Sequence, residues 1–271
     1  MDFHWFHRLS SSQLALLVGA VTITVALTGL VLTARRVRET TLHEQLDNGA
    51  IAGLLAALIG IYAIAAGLTA VAVWGNTGDA AAKVGREAAA INVLFHDLKG
   101  YPQPLRESSR EALAQYVRYI IDVEWPKHEQ GEAPTNTLRM IDAAQEAIFA
   151  FEPATEGQKI LHAQVIKSYD DVLLARRLRL QSVFDTALPG ELWVIVVLLG
   201  VIAISSCFLL RVDSFAMHAT ITILVATPIA LILYFIAVTD RPFQGGISVS
   251  ADPYRSVLES IMIPELRMDR K

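Results

Sequence analysis

Residues 50–74 read AIAGLLAALIGIYAIAAGLTAVAVW, a run without a single Asp, Glu, Lys or Arg. A helix needs about 20 such residues to cross the hydrocarbon core of a bilayer, so this stretch is long enough to span a membrane. Three other runs share its length and lack of charge: 14–34, 192–210 and 215–238. The sequence therefore predicts an all-α membrane protein with four transmembrane helices.

The connections between these runs indicate how the helices are paired. Residues 35–49 join the first two runs and residues 211–214 join the last two. Connections this short favour two antiparallel hairpins, and helices are expected because lipid cannot satisfy backbone polar groups. The first run exceeds the 7–15 residues of a signal-peptide core, and Arg35 and Arg36 follow it in place of a cleavage site. We therefore expect it to be retained.

The stretch between the hairpins has the periodicity of helices and predicts a helical-bundle domain inserted between spans two and three. Its predicted helices are 79–99, 105–125, 135–151 and 155–187, with a polar loop at 126–134. The predicted organisation is a flank at 1–13, a hairpin at 14–74, the domain at 75–190, a second hairpin at 191–238 and a tail at 239–271.

The tail contains a helix-start signal. Asp252 followed by Pro253 resembles an N-cap with proline at the first helical position. The predicted helix at 254–262 has an apolar side and is expected to lie on the membrane or on the domain.

Span two contains a row of small residues. Gly53, Gly60 and Gly67 are seven residues apart, and Gly49 precedes them by one turn. Small residues at such spacing let helix backbones approach closely in lipid. The row predicts either packing within one subunit or a face that lines a pore or contacts another subunit.

Composition excludes several functions. A net charge of −4 does not favour nucleic-acid binding. The seven histidines show no metal-ligand spacing and no catalytic motif is present, so we predict neither an enzyme nor a cofactor or metal site. The spans contain no Asp, Glu, Lys or Arg at mid-membrane, which disfavours proton-coupled transport but leaves a channel open. The single cysteine, Cys207, allows no internal disulfide.

Three arginines precede span three: Arg176, Arg177 and Arg179. We expect them on a solvated helix face. The alternatives are a vestibule that attracts anions and contacts with lipid phosphates.

The flanks of span one predict the orientation. Arg35, Arg36 and Arg38 follow it, while only Arg8 precedes it. The positive-inside rule then places residues 35–49 in the cytoplasm and the domain and both termini outside. Basic residues near span ends on the domain side favour the reverse orientation: Lys83, Arg86, Arg176, Arg177, Arg179 and Arg241.

Motifs along nearly the whole chain resemble a known bacterial family. They are Arg35-Arg36-Val37-Arg38, Asn48-Gly49-Ala50-Ile51-Ala52-Gly53, Tyr62, Trp74, Arg86-Glu87-Ala88, Glu124-Trp125-Pro126, Ala175-Arg176-Arg177-Leu178-Arg179-Leu180, Leu188-Pro189, Trp193, and the tail motif Asp240-Arg241-Pro242-Phe243 with Gly245 and Pro253. The tail motif is the most specific of these. Together they resemble the four-span proteins with a bestrophin-like domain.

The resemblance implies kinship with bestrophins, which are oligomeric anion channels. It implies a multi-pass protein of the bacterial inner membrane that forms a homo-oligomer in the lipid bilayer and conducts inorganic ions. The alternative that the sequence leaves open is a non-enzymatic sensor or scaffold that signals through its helical domain.

Overall fold

The computed structural model describes residues 11–38, 47–133, 145–146 and 148–269. Most of the predicted helix 135–151 and part of the predicted loop 35–49 lie outside these residues, as do residues 1–10 of the flank. The described residues are helical with no strand, and four helices are long and apolar enough to cross a membrane. The predicted fold class is therefore confirmed.

Nine α-helices occur in the part of the chain that is described. They are α1 (Ser11–Arg38), α2 (Asn48–Asp97), α3 (Leu105–Tyr119), α4 (Trp125–Glu129), α5 (Glu156–Phe184), α6 (Gly190–Cys207), α7 (Phe215–Thr239), α8 (Asp252–Val257) and α9 (Ile263–Asp269). The four candidate spans are in α1, α2, α6 and α7. The chain divides into two compact units, and the boundary crosses α2 between Asn76 and Thr77.

The first unit takes the described parts of Met1–Asn76 together with Thr186–Asp240 and Gly245–Ile247. Apolar residues of the candidate spans form its core, including Tyr62, Val196 and Ile229. Asn48 and Arg211 join the two hairpins, because the Asn48 amide donates to the Arg211 carbonyl at 3.0 Å and accepts from its N–H at 2.8 Å. Cys207, the last residue of α6, is fully buried.

The second unit takes Thr77–Asp185, Arg241–Gln244 and Ser248–Lys271 in their described parts. Helix α5 begins with a capping box, in which Thr155 accepts from the N–H of Gln158 and the Gln158 side chain accepts from the N–H of Thr155. The tail contributes Tyr254 and Met262 to the core of this unit. Of the two predicted locations for the tail helix, the structure shows packing on the domain.

The tail helix differs from its prediction in two ways. Ala251 and not Asp252 is the N-cap, so the helix begins at Asp252, two residues before the start predicted at residue 254. The helical segment also runs past 262 to Asp269, through a π-helical turn at Leu258–Met262.

Both π-helical turns of the second unit precede a proline, and this explains two errors of prediction. Pro126 follows the turn Ile120–Glu124, and Pro264 follows Leu258–Met262. The residue before each proline donates its N–H to a carbonyl five residues back, one more than in an α-helix. The wider turn accommodates a residue that lacks an N–H, so the helix continues where we predicted a loop from Pro126 and a helix end at Met262. The predicted loop 126–134 therefore begins as helix α4.

Candidate functional site

The glycine row of span two has no packing partner within the described chain. A Cβ atom added at Gly53, Gly60 or Gly67 would meet no other atom within 4 Å, and one at Gly49 would meet only the side chain of Asp47. Gly53 and Gly60 are exposed. Of the two predictions for this row, packing within the subunit is therefore not what the described structure shows, and the row forms an open face of α2.

Two other glycines allow close packing within the first unit. A Cβ atom at Gly200 of α6 would lie 3.2 Å from Ile229 Cγ2 and 3.4 Å from the ring of Tyr62. One at Gly29 of α1 would lie 2.7 Å from the ring of Phe208. Neither glycine belongs to a periodic row in the sequence, so spacing gave no signal for them.

A fully buried carboxylate, Glu87 of α2, lies at the centre of the second unit. Arg179 donates to it from Nε at 2.6 Å and from Nη2 at 3.3 Å. The hydroxyls of Tyr116 and Tyr254 each donate to it at 2.9 Å. Burial and the Glu87 charge raise the pKa of both tyrosines well above the usual range, so they remain protonated donors.

A second buried carboxylate, Glu124, completes the ionic cluster. It accepts from Arg179 Nη2 at 2.6 Å and from Arg176 Nη2 at 3.1 Å. The two carboxylates and two guanidinium groups balance in charge. Buried charges are stable only when they are paired, and here the two carboxylates and the two guanidinium groups pair with one another.

His128 is the neutral member of this cluster. Its Nε2 accepts from Arg179, and its Nδ1 lies 3.1 Å from the carbonyl of Glu132, so the proton is assigned to Nδ1. Burial and the neighbouring Arg179 charge lower the pKa of His128 to about 4. The imidazole is therefore uncharged at neutral pH.

The cluster corrects the prediction for the arginine group before span three. Arg176 and Arg179 are buried and ion-paired, so neither lies on a solvated face or in an anion vestibule; Arg177 alone of the three is exposed. In the Glu124-Trp125-Pro126 motif the first two residues are buried and Pro126 is exposed.

The spacing of residues in α5 contained a signal for the cluster. Six of its nine buried residues follow one another by three or four positions: Val165, Tyr169, Val172, Arg176, Arg179 and Val183. This is the spacing of a core-facing helix stripe, and both arginines occupy it. Charge at such positions indicates buried partners, which here are Glu87 and Glu124.

The tail motif contributes to both units. In the first unit, Asp240 accepts from the N–H of Leu188 at 3.0 Å and from the indole of Trp193 at 3.3 Å. Its carbonyl accepts from the N–H of Ala187 at 3.2 Å. Asp240 therefore holds the chain that leads into α6.

The rest of the motif lies mainly in the second unit. Phe243 is buried with its ring 5.7 Å from both Trp125 and His128, and Pro242 accepts from the N–H of Val249 at 2.8 Å. Arg241 donates to Gln244 at 3.4 Å. Gly245, in the first unit, has φ +85°, a left-handed conformation that favours glycine. Pro253 is in the first turn of α8.

No group of three or more His, Cys, Asp or Glu that could hold a metal ion occurs among the described residues. The charges of the cluster face one another in a core, and Glu87 accepts four hydrogen bonds. Two features of α2 are candidates for a functional role: its open glycine face, and the ionic cluster around Glu87 in the part of the helix that belongs to the second unit.

Solved structures share this fold. A bacterial bestrophin homologue from Klebsiella pneumoniae is 12% identical with a TM-score of 0.68, and the match covers 93% of this chain and 98% of that one. A variant of that homologue is 11% identical with a TM-score of 0.69, covering 92% and 98%. A structure described as a membrane protein is 14% identical with a TM-score of 0.65, covering 90% and 97%. At these identities the likeness shows the fold alone.

Among curated proteins nothing matches the chain. The family model for the bestrophin-like domain matches residues 19–254, which is most of the chain and includes the glycine row, the ionic cluster and the tail motif. The four apolar helices and the bestrophin fold agree with that match. The chain is a membrane protein that belongs to the bestrophin-like domain family.

Proposed function

We propose that the protein is a homo-oligomeric ion channel of the bacterial inner membrane, in which the glycine face of α2 lines the pore or the contacts between subunits. The observation that carries the proposal is that a Cβ atom added at Gly53, Gly60 or Gly67 would meet no packing partner within 4 Å among the described residues. Family membership supports it, since solved structures of the same fold are named bestrophin homologues.

An open glycine face inside a membrane is favourable only where another helix packs against it. Glycine inside a helix costs about 1 kcal/mol relative to alanine. Facing lipid, a glycine offers no side chain to pack and gains nothing for that cost. Facing another helix, it permits close approach, which is the main source of attraction between helices in a membrane. A second copy of the chain supplies such a helix.

The chemistry of the span fits conduction of inorganic ions. Its glycine face contains no charged side chain, so an ion path along it would be controlled by an apolar constriction and not by a fixed charge. We further propose that residues 75–190 and the tail form an extramembrane domain outside the cytoplasm, as the arginines after span one predict.

The test uses the full-length protein in detergent and in lipid vesicles. Gly53→Leu with Gly60→Leu fills the face. Gly19→Leu is the matched control, because Gly19 of α1 also meets no atom within 4 Å but lies outside the row. Wild type and control should show a particle mass several times that of one chain and should release chloride or potassium from vesicles. The double variant should lose both properties.

Two results would overturn the proposal. One is a monomeric wild type, or one whose ion release equals that of empty vesicles. The other is a double variant that keeps the oligomer and the flux. An oligomer without flux would favour a sensor or scaffold instead, because α2 also contains Glu87, through which a signal could reach the domain.

A further inference from the structure

The tail reaches the buried centre of the second unit through one hydroxyl. Tyr254 of α8 is fully buried, and its hydroxyl donates to Glu87 Oε2 at 2.9 Å. Its ring lies 5.8 Å from that of Trp125, and the Arg179 guanidinium lies 5.9 Å from the ring of Tyr254. The tail thus supplies one of the hydrogen bonds that Glu87 of α2 accepts.

A second tail residue, Glu265, makes a contact near the C-terminal end of α2. Glu265 of α9 pairs with the fully buried Arg110, and Lys99 lies 3.7 Å from it. The Arg110 guanidinium lies 4.0 Å above the ring of Phe95, which is in the last turn of α2. The tail is therefore fixed to the domain part of α2 near both Glu87 and Phe95.

The Tyr254–Glu87 hydrogen bond and the Glu265–Arg110 ion pair determine where the tail lies more than they add to the stability of the fold. Buried ion pairs contribute little net stability over apolar side chains of the same volume, and their best-attested use is to specify register or a switch. A tyrosine hydroxyl on such a cluster can be removed while the ring keeps its packing. The hydrogen bond between the tail and Glu87 can therefore be removed while the apolar residues of the tail stay in the core.

We propose that the Tyr254–Glu87 hydrogen bond is a latch, through which the tail fixes α2 and thereby sets the conductance of the channel. The coupling to conductance rests on the proposed function. The latch itself rests on the contacts of Glu87 alone. Helix α2 connects the two, because it contains both Glu87 and the glycine face at Gly53, Gly60 and Gly67.

The chain offers a closely matched pair of variants. Tyr254→Phe removes the hydroxyl that comes from the tail. Tyr116→Phe removes a hydroxyl that donates to the same carboxylate at the same 2.9 Å and is equally buried, but belongs to α3. Both variants leave Glu87 with one donor fewer. Only Tyr254→Phe removes a hydrogen bond that the tail makes to Glu87.

The experiment measures amide hydrogen exchange of the full-length protein in detergent and ion release from vesicles. In Tyr254→Phe, exchange of residues 248–269 should rise about ten-fold, because a hydrogen bond to a buried charge is lost. Exchange of residues 50–74 should rise as well, and ion release should change. In Tyr116→Phe the tail and residues 50–74 should exchange as in wild type. Glu265→Gln weakens the other anchor and should shift all three quantities as Tyr254→Phe does, so it carries the test if Tyr254→Phe fails to fold.

The outcomes separate the latch from the channel. Equal tail exchange in the two tyrosine variants overturns the latch. Faster amide exchange of residues 248–269 with unchanged exchange of residues 50–74 overturns the coupling through α2. A wild type without ion release refutes the proposed function and the link to conductance, while the exchange data still decide whether the tail holds α2.

Discussion

The two parts of α2 differ in their contacts with the rest of the chain. Up to Asn76 the helix belongs to the first unit, and its glycines meet nothing in the described chain. From Thr77 it belongs to the second unit, and Glu87 there accepts four hydrogen bonds. The domain part has its partners within the chain, whereas the glycine face has none among the described residues. Substitutions in the domain part should therefore affect folding, and those on the glycine face should affect assembly.

Removing Arg179 should have the largest effect. Arg179→Met leaves Glu87 without a cation and Glu124 with one cation fewer, and breaking a buried pair from one side costs about 3–5 kcal/mol. Arg177→Met, on the exposed side of the same helix, should change stability by less than about 0.5 kcal/mol. Thermal unfolding of the purified proteins in detergent measures both. Similar losses for the two variants would contradict a buried cluster.

Acid should weaken the domain through His128 by a somewhat smaller amount. Burial lowers its pKa from 6.5 to about 4, so between these values the unfolded chain binds a proton that the folded chain does not. This contribution to stability is therefore complete above pH 6.5 and falls as the pH drops toward 4, by up to about 3 kcal/mol.

The measurement for His128 is the unfolding temperature of wild type and His128→Gln from pH 7 to pH 4. Titrating carboxylates affect both proteins, so the difference between the two curves isolates the histidine. Wild type should lose more stability than the variant over this range. Parallel curves would show that His128 does not titrate as its surroundings predict.

The smallest effect should come from a pair of alanine substitutions in the first unit. Gly200→Ala places a methyl group 3.2 Å from Ile229 and should cost about 1–3 kcal/mol through overpacking. Gly60→Ala adds the same group where no described residue lies within 4 Å, so the single chain should gain up to about 1 kcal/mol from the better helix propensity of alanine. Unfolding temperature and oligomer mass distinguish them. Equal destabilisation of the single chain would mean that the glycine face is already covered.

The membrane part of this fold could be predicted well from the sequence, because length and lack of charge suffice for a span. The helices of the second unit were harder. A loop was predicted from Pro126 and the end of the tail helix at Met262, yet at both places the helix continues through a π-helical turn. Such a turn depends on tertiary packing and leaves no clear local pattern.

The candidate site was predicted only in part. The spacing of Gly53, Gly60 and Gly67 predicted a functional helix face. The sequence marked Glu87 only as part of a family motif and indicated no role for it. Its partners lie 29, 92 and 167 residues further along the chain, at Tyr116, Arg179 and Tyr254. Such pairings require the fold, and Arg176 and Arg179 were predicted on a solvated face although both are buried and ion-paired.

The burial of Cys207 has a practical consequence for chemical labelling. It is the only cysteine of the chain, and it is inaccessible at the end of α6. The native sequence is thus a ready background for thiol reagents, without a prior substitution. A cysteine introduced at exposed Asp213 would report one side of the bilayer, and one at exposed Asp171 would report the domain. Impermeant maleimide applied to intact cells should modify one of them and spare the other, which assigns each end of the hairpins to its compartment.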